Sequence, residues 1–100
     1  MTAELIAKTD QYEQMLTDAL EMAEIAVPPT TPLGRAARET REMAHSYLED
    51  GRHFRAADDP VNALAAFSYG YGWLDAGVRI GIFSVPTDSD LFTTSEDVHY

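Results

Sequence analysis

Apolar and polar positions recur with the period of an α-helix over three long stretches, and prolines separate the stretches. In the first, Leu5, Tyr12, Met15, Leu16, Ala19, Leu20, Ala23 and Ala26 fall on one face when successive residues are turned by about 100°. Glu4, Asp10, Glu13, Asp18, Glu21 and Glu24 lie mostly off that face. Thr2 is placed to cap this helix, which the pattern carries over residues 3–27. Pro28, Pro29 and Pro32 then stop it, because proline has no N–H to donate and restricts the residue before it. Thr31-Pro32 is a start signal: the threonine oxygen accepts from a free N–H of the first turn, and proline suits the first helical position. The second helix is expected over 32–57. Its apolar face carries Leu33, Ala37, Met43, Ala44, Tyr47, Leu48, Gly51 and Phe54.

Asp58-Asp59-Pro60 repeats the stop and start, with Asp59 as the cap of a third helix over 60–82. So short a turn makes the second and third helices an antiparallel hairpin. The third helix, PVNALAAFSYGYGWLDAGVRI and its sequel to Phe83, is apolar on nearly every side. Leu64, Phe67, Tyr71, Leu74 and Val78 form one large ridge. Ala63, Ala66, Gly70, Gly77 and Gly81 form a groove beside it, and Tyr69, Trp73 and Ile80 form a second ridge. Glycine inside a helix costs about 1 kcal/mol relative to alanine, so close approach by another helix is the expected reason for it.

The fold class that follows is all-α: an up-down-up three-helix bundle over 1–83, with the third helix central. Residues 84–100 are expected to form an irregular, acidic, partly disordered tail that lays Leu91 and Phe92 on the bundle. One hundred residues supply one modest core. No apolar run is long enough to span a bilayer, and no secretory leader is evident, so a cytoplasmic protein without membrane contact is expected.

Charge changes the picture. Seventeen acids stand against six arginines and a single lysine, for a formal net charge of −10. Such a surface argues against nucleic acid as a partner of the whole chain. It suits a salt-rich medium, where a Debye length of about 3 Å near 1 M suppresses self-repulsion. The absence of cysteine rules out thiolate chemistry and disulfides.

Candidate chemistry is sparse. Arg38, Arg41, His45, Arg52 and Arg55 line one flank of the second helix, a basic stripe for phosphate or RNA. The acidic first helix offers the same arginines a partner within the chain. Arg38 and His45 also show an R-x6-H spacing like that of HEPN-type ribonucleases, a spacing that two common residue types produce by chance. Asp75 and Arg79, four apart, form either an ordinary helical ion pair or the polar floor of a ligand site walled by Tyr69, Tyr71 and Trp73. His45, His53 and His99 are too scattered for a metal centre, and no cofactor motif occurs.

The segments AHSYLEDGRHF at 44–54 and ALAAFSYGYGWLDAGVRIGIF at 63–83 resemble the archaeal domain of unknown function 357 family (DUF357). The resemblance implies a small helical bundle and, with the acidic, lysine-poor composition, a haloarchaeal member. It implies no catalytic residues. The functional expectation is a non-enzymatic interaction or scaffold protein that self-associates as a homodimer, or binds a protein partner, through the third helix. The alternative is a small-molecule or nucleotide-binding module at Asp75 and Arg79, or weak RNA binding through the arginine flank.

Overall fold

A computed structural model describes residues 2–92. Helix α1 spans Ala3–Met22, α2 Pro32–Ala56 and α3 Pro60–Ile80, and a two-stranded ribbon joins β1, Glu24–Ile25, to β2, Phe83–Ser84. Every start signal in the sequence is used. Thr2 accepts from Leu5 N at 3.1 Å, Thr31 from Gly34 N at 3.1 Å, and Asp59 from Asn62 N at 3.2 Å. Pro32 and Pro60 each open their helix, where a missing N–H removes no intrahelical bond.

The helices form the expected up-down-up three-helix bundle, with α3 packed against both others. Phe67, Leu74, Leu16, Ala19, Ala37, Ala44 and Ala63 are fully buried at its centre. The Phe67 ring lies against Gly51 of α2, where a Cβ would stand 2.2 Å from it, so α2 and α3 meet at van der Waals contact. Thr9 is the buried polar residue among those described. Its hydroxyl donates to Leu5 O at 2.8 Å and lies 3.4 Å from Pro60 O, tying α1 to the start of α3.

α1 stops at Met22 rather than continuing to Val27, because tertiary pairing overrides a helical pattern. Ala23 turns extended, with φ −75° and ψ 121°. Glu24 and Ile25 then pair antiparallel with Ser84 and Phe83, and Ala26 N donates to Ile82 O at 2.9 Å. α2 ends at Ala56 and α3 at Ile80, one and two residues short of expectation.

Gly81 is not part of a helical groove. It takes a left-handed φ of 95° and caps α3, with Ile82 N bonded to Gly77 O at 3.0 Å and Gly81 N to Val78 O at 3.2 Å. The turn after α2 has the same geometry: Asp59 N donates to Phe54 O at 2.8 Å and Asp58 N to Arg55 O at 3.0 Å. There Asp58 supplies the left-handed residue, at φ 58°.

The chain after α3 covers one side of the bundle. Ile82, Phe83 and Phe92 are buried, and Phe92 stacks on Tyr71 with ring centroids 5.7 Å apart and planes 9° apart. Leu91 packs beside them, so this pair does lie on the bundle. The rest of the expected tail, residues 93–100, lies outside the described residues, and with it the expectation of disorder and His99.

Candidate functional site

The arginine flank of α2 is largely turned inward to α1. Glu13 accepts from Arg52 Nε at 2.9 Å and from Arg55 Nη1 at 2.5 Å, and Asp10 accepts from Arg55 Nη2. Burial alone would push the Glu13 carboxyl up. The hydrogen bonds and charges of the two arginines outweigh it and hold the group below the usual glutamate value. Arg55 is raised in turn, first by the Glu13 bond and then by Asp10, against the opposing effect of burial.

Arg41 does a different job. Its two terminal nitrogens donate to Leu20 O and Ala23 O, carbonyls at the end of α1. α1 has no base of its own in its last turn, so a residue of α2 caps it. Arg38 donates to Pro29 O at 2.7 Å and holds the linker between the helices. His45 stands 3.5 Å from Glu49, with both side chains exposed. A hollow of about 420 Å³ beside Arg41 is lined by Leu20, Glu21, Arg41, Glu42 and His45, a mix in which acids and bases offset one another. Four of the five residues of the basic stripe, Arg38, Arg41, Arg52 and Arg55, therefore donate within this chain, and His45 only approaches Glu49. The capping role of Arg41 has no sequence signal, since it joins positions 18 and 21 residues apart.

The other candidate set is divided. Asp75 and Arg79 form an i,i+4 pair at 3.4 Å, partly exposed. Tyr71 lies one turn before Asp75 on the same side, half-buried under Phe92. Burial, and then the Asp75 charge, push its hydroxyl above the usual tyrosine value, while Arg79 opposes them. Tyr69 and Trp73 project from another side of α3, well over 90° away around the helix at about 100° per residue. Tyr69 meets Tyr47 of α2, with centroids 5.8 Å apart. The three aromatic residues do not wall one site around Asp75 and Arg79. Among the described residues, no group of three or more His, Cys, Asp or Glu could hold a metal ion.

What α3 does present is a bare face. Tyr69 is 65% exposed, Trp73 45% and Ile80 71%, with Val61 near the hairpin turn also open. Nine residues of α3 are exposed, and Arg79 is the single charged one among them. Met43 and Phe54 extend the surface onto α2, with Tyr47 between them in contact with Tyr69, and the exposed Asp50 shares their face of the helix. Six large side chains here (Met43, Phe54, Val61, Tyr69, Trp73 and Ile80) are 38–71% exposed. With areas of about 150–250 Å² each, the range for aromatic side chains, they leave roughly 500–800 Å² open. That lies at or above the upper end of the ~300–600 Å² typical of the largest apolar patch on a monomer, a size that is often functional.

The fold and this surface define a small three-helix bundle whose central helix is covered on two sides by helices, on a third by the chain that follows it, and on its outer side by nothing within the described residues. No curated protein and no solved structure matches the chain. The family model described as "Protein of unknown function (DUF357)" matches residues 11–83, and the chain belongs to that family. The match spans all of α2, α3 and most of α1. Among the described residues no helix is long and apolar enough to cross a membrane.

Proposed function

We propose that this chain is a non-enzymatic interaction protein that self-associates through the outer face of the α2–α3 hairpin. One observation carries the reading: roughly 500–800 Å² of large side chain stands open on that face, a range that reaches the ~800 Å² that each partner of a standard interface buries. The occupant is a second copy. Each chain carries a formal net charge of −10, and the exposed residues of α3 include no acid. The partly exposed Asp75 is already paired with Arg79, so the exposed Asp50 of α2 is the acid that salt must screen when two copies meet there.

The setting we propose is the salt-rich cytoplasm of a haloarchaeal cell, in keeping with the acidic, lysine-poor composition. Light scattering during size exclusion tests the reading. The wild-type chain in high KCl is expected to show twice the chain mass, and Trp73→Lys the mass of one chain. A wild-type mass of one chain at every concentration refutes self-association. The RNA-binding alternative has the less support, because the arginines it needs already bond Glu13, Asp10 and backbone carbonyls.

A further inference from the structure

Gly72 is the one helical glycine that this fold does not explain. At Gly34, Gly51, Gly70 and Gly77 a Cβ would come within 2.2–2.7 Å of a packed atom, so each is small because a neighbour lies on it. At Gly72 a Cβ would meet nothing within 4 Å among the described residues. Its φ is not positive, so no left-handed turn requires it either. It sits mid-helix in α3, on the exposed face, one turn from Tyr69 and next to Trp73. A glycine there lowers helix stability relative to alanine, with no compensating contact among the described residues.

We infer that Gly72 is the crossing point of a two-fold dimer, where α3 of one copy lies backbone-close on α3 of the other. The inference rests on the self-association reading and specifies which part of the face touches. A two-fold axis sets each copy's Gly72 against or beside the partner's, so a single residue type makes room on both sides. Tyr69, Trp73 and Ile80 then flank the crossing and fill the space beside the partner helix. The open area of the face reaches, at its upper end, the size a stable dimer buries on each side. Asp75, one turn from Gly72 and partly exposed, and Arg79, two turns from it, pair at 3.4 Å, so the charges beside the crossing are already matched within each copy. Away from it two strongly acidic bodies repel, so salt strengthens the contact rather than weakening it.

The test is clean because a Cβ at position 72 meets no atom of the described residues within 4 Å. Gly72→Ala and Gly72→Leu are expected to fold, and Gly72→Ala to raise the melting midpoint of the dilute monomer by a few degrees. Sedimentation equilibrium in high KCl is expected to show the wild-type dimer weakened several-fold by Gly72→Ala. Gly72→Leu, which overfills a close contact, is expected to weaken it by roughly 10- to 100-fold. A wild-type dimer whose dissociation constant neither variant changes overturns the crossing and leaves self-association standing. A wild-type monomer overturns both, including the case in which Trp73 proves shielded by residues of its own chain.

Discussion

Replacing Glu13 by Gln asks whether the arginine flank is structural. The carboxylate accepts from Arg52 at 2.9 Å and Arg55 at 2.5 Å, and joins α1 to α2 at positions 39 and 42 residues away. A hydrogen bond to a charged group is worth about 1.5–3 kcal/mol when protected, and an exposed ion pair about 0.2–1 kcal/mol. Here the side chain of Glu13 is 23% exposed, that of Arg55 34% and that of Arg52 50%. The site therefore lies between the two limits, nearer the exposed one, and the loss for Glu13→Gln should be about 1–2 kcal/mol in total. Removing one acid from a chain of net charge −10 also relieves repulsion, so the loss is best measured in moderate salt. For a domain of this length the melting midpoint should fall by roughly 5–15 °C.

The same carboxyl fixes the pH dependence. Its folded pKa lies below the unfolded one, so its contribution is complete above the ordinary value of 4.5 and is lost as pH falls through the folded value. Glutamine does not titrate. Circular dichroism melts of both proteins should show a wide gap at neutral pH that closes as the solution is acidified below that value. A gap that stays constant on acidification, or a variant that melts with the wild type at neutral pH, would refute the reasoning.

Three further outcomes follow from the geometry. Gly51→Ala should destabilise by about 1–3 kcal/mol in chemical denaturation, because its methyl group would stand 2.2 Å from the fully buried Phe67 ring; an unchanged midpoint would mean that α2 and α3 do not pack so closely. Asp58→Gly should stabilise by about 0.5–1 kcal/mol, since residue 58 adopts φ 58° without glycine's freedom; a loss of stability would assign the aspartate a contact that outweighs its strain. The wild-type melting midpoint should climb as KCl is raised from roughly 0.05 to 2 M, through screening of the acidic surface; a flat profile would remove the case for salt adaptation.

The helices were legible because their ends are written in local chemistry. Thr2, Thr31-Pro32 and Asp59-Pro60 act within one turn, so a reader of the sequence meets the whole signal at once. The end of α1 is written elsewhere. Ala23 and Ala26 continue the helical period, but Arg41 and the pairing of Ile25 with Phe83 act from distant parts of the chain. A strand of two residues has no period to detect. The site followed the same division. Pairing of the arginines with an acidic first helix could be weighed from charge, and the free ridge of Tyr69, Trp73 and Ile80 from the wheel. The wheel already set Tyr71 on a different side from Trp73, but that Phe92 would stack on Tyr71 depended on where the chain goes after Gly81.

Trp73 is the sole tryptophan of the chain and stands on the face in question, 45% exposed in the single chain. Its fluorescence, followed while the protein is concentrated in high salt, reports on that face and on no other. The account predicts a blue-shifted emission and a loss of access to an added quencher as the chain mass doubles. Emission and quenching that stay the same across the whole concentration range would contradict it.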